Sequence, residues 1–456
     1  MKVGAAQKAK AAMQQNFEQM WDELYEWREQ HPEASFDEIA GQVSPRRRVL
    51  IGQMLGQLAC QHGDGEVVEG VTCWKCGAAM SYKGKPTREI EHLEGETELV
   101  RAYYYCADCE SGLFPLDEQL YLGEHSWSPE TVKQIVRQGT EIPSHRRAAE
   151  SFQAMTKIPL SKSSMGRLVT RYGHKIVVQQ QAEAEATVKP PNREEIISPR
   201  QMPQPDSEVM AVSMDGAMLN IRGEGWKEVK TVCISAVETV PNPESGEAEV
   251  HLTRHSYRAG LWEASEFAQH QWAEGCRRGL ERAKQLVSVN DGAAWIWLIV
   301  AMCWAPCVEI LDGWHLIEKL WGVASALFAD APVARNQWME TQKAQVWGSG
   351  PRQVLRAIRE LCPRGHPLPE PVRLGVAYLF EHRWRTRYQQ FRQAGYPIGS
   401  GSVESACKLV MQARMKQAGM RWSREGAQAM LALRSELLSE RWDQVWASFR
   451  PAPKLA

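Results

Sequence analysis

The chain has 456 residues, 43% of them hydrophobic and 24% charged, with a formal net charge of −1. That length exceeds one compact core and predicts two to four domains. No apolar run of about 18 residues and no signal peptide is recognisable, so a cytoplasmic protein is expected. Eleven cysteines, an odd number, argue against a disulfide framework.

Residues 1–62 read as a helical N-terminal region. Few breakers interrupt the stretch from Ala6 to Arg28, and Ser35 and Glu38 have capping-box spacing ahead of Ile39. Pro45 precedes Arg46, Arg47 and Arg48 and a further apolar segment. The region suits dimerisation or DNA contact, and its sequence does not choose between them.

Residues 63–125 are predicted as a zinc ribbon. Cys73 and Cys76 form one C-x-x-C knuckle, and Cys106 and Cys109 form a second. Between them "TREIEHLEG" and "ETELVRAYYY" alternate like strands and meet at a Gly-Glu turn, a hairpin that would bring the knuckles together. Four thiolates are a soft tetrahedral donor set that suits zinc. They leave no open position for water, so the ion would be structural.

Residues 126–177 are predicted as a helix-turn-helix DNA-binding domain. Ser128 before Pro129 is an N-cap and first-turn pair, and two further short helical stretches follow. From Ser128 to Lys175 there are nine Lys and Arg against three Glu. Such an island is either a nucleic-acid footprint or a solvated helical face. Its candidate DNA contacts are Arg146, Arg147, Lys162 and Arg167. Residues 178–207 read as a polar linker with five prolines, and a domain boundary is placed there.

From 208 to 446 the pattern is α/β. Three strands, a helix, a strand ending in "VNDGAAW", a helix and the strand "CVEILD" predict a mixed sheet with helices on its faces. A helical stretch follows, and a long helix after Gly401 closes the domain. Residues 447–456 form a tail. From Glu381 to Arg424 there are nine Lys and Arg against two Glu, a second basic island. Its candidate phosphate contacts are Arg383, Arg385, Arg387, Arg392, Lys408, Arg414, Lys416 and Arg421. Trp314, Trp384 or Trp422 could stack on an unpaired base.

Three carboxylates stand out on separate elements: Asp215 in the first strand, Asp291 after the fourth, and Glu404 in the first turn of the last helix. Acids within apolar runs cost desolvation unless they are paired or hold a cation. Converging, they would hold two Mg²⁺ about 3.5–4 Å apart, with Mn²⁺ a possible substitute, for phosphodiester chemistry. Each also has an ordinary explanation, because Asp-Gly is a common turn and Glu404 suits a helix dipole. Asp312 and His315 lie three apart after a strand. They could sit over an active site, or be an N-cap and a surface histidine.

"SMDGAML", "VNDGAAWIW", "LDGWHLIEKLW" and "GSGSVESACKLVMQARMKQAGMRW" together resemble the transposases of bacterial insertion sequences of the ISKra type. They also resemble the wider Mutator-like and hAT DDE transposases. The resemblance covers about residues 70–445. It implies an RNase H-like core, with Asp215, Asp291 and Glu404 as its catalytic acids. It also implies Asp312 and His315 as the C/D-x-x-H element, and an all-helical insertion over about 316–395. Glu404 and Lys408, four apart, would then present a metal ligand and a phosphate contact on one helix face.

The implied activity is Mg²⁺-dependent cleavage at terminal inverted repeats and strand transfer into target DNA. The implied partner is double-stranded DNA, with nucleoid association when bound. Joining two ends implies a homodimer or higher oligomer. The alternatives are an inactive or domesticated transposase acting as a zinc-containing DNA-binding protein, a structure-specific nuclease, and a zinc-ribbon RNA-processing factor.

Overall fold

The computed structural model describes residues 3–189, 203–244, 246, 248–348, 350–362 and 367–450. The chain is a mixed α/β, multidomain protein that divides into two compact units, Met1–Leu168 with Asp443–Ala456, and Val169–Trp442. Among the described residues no helix is long and apolar enough to cross a membrane.

In the first unit, helices α1 (Val3–Gln30) and α2 (Phe36–Ala59) form a hairpin. Ser35 caps α2 in a capping box, with its N–H donating to Glu38 at 2.7 Å and its Oγ accepting from the Glu38 N–H at 3.3 Å. Pro45 lies inside α2 and does not end it. The three arginines after it are engaged within the unit. Arg46 pairs with Glu23 at 3.3 Å, Arg47 with Glu94 at 3.1 Å, and Arg48 with Glu91.

A four-stranded sheet follows, in the order β1 (Val71–Thr72), β2 (Ala79–Tyr82), β5 (Tyr104–Cys106), β6 (Ser111–Leu113). The predicted hairpin is β3 (Thr87–His92) and β4 (Gly95–Val100), a separate two-stranded ribbon. Its turn is Leu93-Glu94, two residues earlier than the Gly95-Glu96 turn the sequence suggested, with His92 opposite Gly95. Gly95 and Gly52 meet there, where a Cβ on Gly95 would lie 2.1 Å from the Arg48 carbonyl oxygen. Helix α3 (Pro115–Gln119) leads to α4 (Pro129–Glu141), α5 (His145–Thr156) and α6 (Lys162–Val188). Ser128, Ser144 and Ser161 hydroxyls accept from the first-turn N–H groups of these last three helices.

Helix α6 continues to Val188, so residues 178–188 of the expected linker are helical. Gln, Ala and Glu favour helix, and no proline intervenes before Pro190. Tertiary ion pairs also hold this segment, because Glu183 pairs with Arg258 at 2.7 Å. Much of the remaining linker, residues 190–202, lies outside the described residues.

The second unit is built on β7 (Val209–Ile221), β8 (Gly225–Pro241), β9 (Ala248–Gly260), β10 (Gln285–Asn290) and β11 (Val308–Leu311), in the order β11-β10-β7-β8-β9. The first three form an antiparallel meander, and β10 and β11 run parallel to β7. Helices α7 (Ala264–Arg277) and α8 (Ala294–Cys303) connect them. Met210, Val212, Met214, Val232, Ile234, Val287, Val289 and Ile310 form the sheet's share of the core. After β11 come α9 (Gly313–Leu327), α10 (Pro332–Trp347), α11 (Pro351–Leu361), α12 (Glu370–Glu381) and α13 (Tyr388–Gln393).

The expected long last helix is two helices. The first, α14, is α-helical over Gly401–Ala406, a π-helix over Cys407–Gln412, and closes with Ala413–Met415. The chain then turns through Gly419, at φ +72°, before α15 (Arg424–Leu438). The turn is fixed by the Trp422 carbonyl, which accepts from the Arg222 N–H at 2.8 Å.

An ionic cluster centred on fully buried Arg258 and Glu274 ties β9 and α7 to Glu436 of α15 and to Arg441 just beyond it. Arg258 and Glu274 are inaccessible, 3.3 Å apart. Arg441 bonds Glu274 at 2.7 Å and Glu436 at 2.7 Å. Burial pushes the Glu274 carboxyl up, but Arg441, Arg258 and Arg277 outweigh it and hold the group at about 2. A pKa depressed on folding from 4.5 adds stability that is complete above about pH 4.5 and is lost as pH falls toward 2. Glu274→Gln is therefore expected to destabilise the protein by about 3–5 kcal/mol at neutral pH, leaving arginines buried without their counter-charge. Urea unfolding should show the gap between wild type and variant closing as pH falls from 4.5 toward 2. A gap independent of pH would show that charge is not its source.

Candidate active site and metal centre

The four predicted cysteines do converge. The Sγ atoms of Cys73, Cys76, Cys106 and Cys109 all lie within 4.8 Å of one another. Pairing of β2 with β5 brings the two knuckles together, with Ser81 opposite Tyr105. The ribbon β3–β4 is an excursion between them. Gly77, at φ +75°, closes the first knuckle, and its N–H donates to the Cys73 carbonyl at 2.8 Å. Burial raises the Cys73 thiol, but N–H groups of Lys75 and Cys76 more than offset this and hold it at about 7. Four sulfurs at these separations fit a zinc ion.

The candidate catalytic carboxylates lie in the second unit, and strand register places two of them. β10 pairs parallel with β7, Ser288 opposite Val212. Two side chains extend that register. Ser288 Oγ donates to the Val212 carbonyl at 3.1 Å, and Asn290 Oδ1 accepts from the Met214 N–H at 2.6 Å. The next residues on each strand are Asp291 and Asp215. Asp215 Oδ1 also accepts from the Gly216 N–H at 2.7 Å. Burial is the main cause pushing the Asp215 carboxyl up, and the charges of Asp291 and Glu404 push the same way. The Gly216 N–H and the Cys407 thiol act in the opposite direction. The charges of Asp291 and Glu404 are thus near enough to be felt at Asp215. The three acids do not close as tightly as the cysteines, since among the described residues only the thiols form a cluster within 4.8 Å.

Glu404 is brought to this site by Asp312. The buried Asp312 carboxylate accepts from the His315 N–H at 2.6 Å and from the Ser400 N–H. The Gly313 N–H donates to the Ile398 carbonyl at 3.0 Å, and the Ser400 hydroxyl lies 3.4 Å from Glu404 Oε1. Asp312 is thus the N-cap of α9 and the anchor of the turn before α14. The His315 imidazole turns elsewhere, to Glu318 at 3.7 Å. This matches the N-cap with a surface histidine, one of the two alternatives the sequence left open for these residues. Backbone N–H groups already use both Asp312 oxygens.

Three residues at the site had no signal in the sequence. Cys407 looked like a small buried hydrophobe, yet its thiol bonds Asp215. Tyr378 of α12 packs on Gly292, where a Cβ would come within 2.3 Å of its ring. Its hydroxyl is buried with no hydrogen-bond partner, and burial and the charges of Asp291 and Asp312 raise its pKa. Asn290 read only as a strand end. The "NDG" triplet was the available clue, since a buried Asn beside an acid needs a bond to justify it.

The basic candidates divide. Arg146, Arg147, Lys162, Arg167, Arg387, Arg392, Lys408, Lys416 and Arg421 are exposed. Arg383 is half-buried against the Phe380 ring. Two expected phosphate contacts are spent inside the protein. Arg385 pairs with Glu309 at 2.6 Å under Trp297, and Arg414 is 1% exposed. Burial pulls Arg414 down to about 10. Trp314 and Trp384 are exposed, whereas the Trp422 indole is tied to the Met415 carbonyl at 3.0 Å.

No family model matches the sequence, and no curated protein does. Among solved structures, the chain is similar to one titled "Drosophila P element transposase strand transfer complex", at 6% identity and a TM-score of 0.22. The match covers 73% of this chain and 84% of that one. A likeness that slight carries no argument, so the functional reading rests on this chain's own residues.

The cysteine cluster makes a direct prediction. Purified protein should carry one zinc per chain by elemental analysis, and Cys73→Ser should carry less than about a tenth of that. Chelation should lower the melting temperature of wild type and leave Cys73→Ser unmoved. A zinc-free wild type of undiminished stability would remove the ion from the structure.

Proposed function

We propose that this chain is a DNA transposase that binds the terminal inverted repeats of an insertion sequence and carries out Mg²⁺-dependent strand cleavage and strand transfer. The observation that carries the reading is the register of β10 against β7, which sets Asp291 beside Asp215, with Glu404 delivered to the same site through Asp312. An antiparallel β9-β8-β7 meander with β10 and β11 added parallel to β7 is the sheet an RNase H-like core would use, and α9 to α13, between β11 and α14, would be its helical insertion. Both support this reading. So do exposed Arg146, Arg147, Lys162 and Arg167 at the starts of α5 and α6, the positions a helix-turn-helix offers to DNA.

Asp215, Asp291 and Glu404 would hold the magnesium. An all-carboxylate donor set is hard and suits Mg²⁺ or Mn²⁺, and the mutual repulsion felt at Asp215 is what a cation would relieve. When bound, the ions supply activation of the attacking oxygen and stabilisation of the leaving oxygen. The chain's own groups do the positioning. Asn290 fixes the height of Asp291 on the sheet, Cys407 orients Asp215, and Asp312 holds the turn that sets Glu404. Lys408 and Arg387 are free to meet phosphates. Tyr378 of α12 packs on Gly292, the residue after Asp291. Cutting and joining at two ends calls for at least a dimer.

The rival is a zinc-containing DNA-binding protein without chemistry. Asp215→Ala, Asp291→Ala and Glu404→Ala each are expected to lower cleavage and strand transfer on a duplex carrying the terminal repeat by more than about 100-fold, with DNA affinity retained. Wild type that binds the repeat but leaves it intact in Mg²⁺ and Mn²⁺ would favour the rival.

A further inference from the structure

The turn between β7 and β8 stands beside the loop joining α14 to α15. Gly223 and Gly225, at φ +79° and +74°, make the turn, and Ile221 bridges Trp422 across to the loop. Between them is a cleft of about 630 Å³. Leu219, Ile221 and Met415, all at most 2% exposed, form its floor. Arg222, Trp226, Lys416 and Arg421 form its walls, and no acidic side chain lines it.

Two features of these walls suit a ligand that carries both an aromatic face and negative charge. Trp226 is 59% exposed, and Lys416 Nζ lies 5.8 Å from the centre of its ring. Arg222, Lys416 and Arg421 have no carboxylate partner among the described residues. Glu224, the acid of the turn, is engaged by Arg424 at 2.6 Å. An acidic peptide would answer the charge and leave the indole unused. A duplex offers phosphates but keeps its base faces stacked. A single nucleic-acid strand offers both an aromatic face and closely spaced anions.

We infer that this cleft binds a single DNA strand, stacking one unpaired base on Trp226 and seating the adjoining phosphates on Arg222, Lys416 and Arg421. The choice of DNA over RNA and the source of that strand rest on the transposase reading. Six residues of β7 separate Asp215 from Ile221, about 20 Å at 3.3 Å per residue. That span matches about six stacked nucleotides. A strand ending at the carboxylates would thus have an inner nucleotide at Trp226.

The test is binding of an oligothymidylate of about 12 nucleotides, followed by fluorescence anisotropy without divalent metal. Trp226→Ala is expected to weaken binding about tenfold or more, and Trp226→Phe to restore most of it. The triple variant Arg222→Gln, Lys416→Gln, Arg421→Gln should flatten the dependence of log affinity on log salt by about 2. Affinity for a duplex of equal length should not respond to Trp226→Ala. Strand affinity unchanged in Trp226→Ala would overturn the inference. Photocrosslinking of an iodouracil-substituted strand to wild type needs no variant. An adduct on Trp226 is expected, and adducts that spare both the turn and the loop would sink the proposal. None of these readouts requires cleavage. A protein that holds the strand here and never cuts keeps this inference and loses the transposase, and one that cuts but ignores Trp226 does the reverse.

Discussion

The candidate site depends on one constraint, the register of β10 against β7. In a strand successive side chains face opposite ways, so a slip of one residue would exchange Asp215 with Met214, which is 1% exposed in the core. Hydrophobic pattern alone resists such a slip weakly here, because both faces of this part of the sheet are covered. Ser288 and Asn290 resist it specifically. Each bonds the β7 backbone, and Asn290 Nδ2 also donates to Ser288 Oγ at 2.8 Å. In a slipped register these buried groups would be unpaired, at about 1–3 kcal/mol each.

The same logic explains how a large helical insertion leaves the site undisturbed. The chain departs at Asp312 and Gly313 and returns at Ile398 and Ser400. Those two points are bonded to each other, through the Asp312 carboxylate and the Gly313 N–H. A third tie, the Leu311 N–H to the Arg385 carbonyl at 2.9 Å, fixes the insertion's interior to β11. With its ends joined, the insertion can vary inside without moving Glu404. Asp312 does this as a structural acid. Its buried charge is met by backbone donors, which leaves it little freedom to serve as a base.

What could be read in the sequence followed from local chemistry. Cys73, Cys76, Cys106 and Cys109 were legible from spacing, Ser35 and Ser128 from capping, and the order of strands from runs of apolar residues. What could not be read depended on distant partners. Arg385 and Arg414 look like any surface cation until Glu309 and the Trp422 ring are placed beside them. Of the nine cations in the second island, Arg385, Arg414 and Arg424 are consumed this way. Arg46, Arg47 and Arg48 make the same point in the first unit. Residues 178–188 are polar like a linker, but their Gln, Ala and Glu favour helix, and the tie from Glu183 to Arg258 adds tertiary support. Tyr378 and Cys407 carry no motif at all, and only folding brings them to the acids.

The π-helix in α14 has a cause in the spacing of its buried residues. Val403, Cys407, Met411 and Met415 recur every fourth position, as do Ala406, Val410 and Arg414. In a straight α-helix of 3.6 residues per turn, a step of four overshoots by about 40°, so this stripe would wind off the sheet within three steps. A π turn, bonded i to i+5, holds more residues and takes up the excess. The stripe then stays on the core from Val403 to Met415. Two consequences follow. Cys407 can remain buried and still reach Asp215, and Lys408, the first residue past it, shares the exposed side with Glu404 despite the change in helical pitch. The element that begins at a carboxylate of the candidate site also ends, without veering, at the basic loop beside Trp226. A change that restored ordinary α-helical pitch here would therefore disturb both ends together, because one buried stripe positions them both.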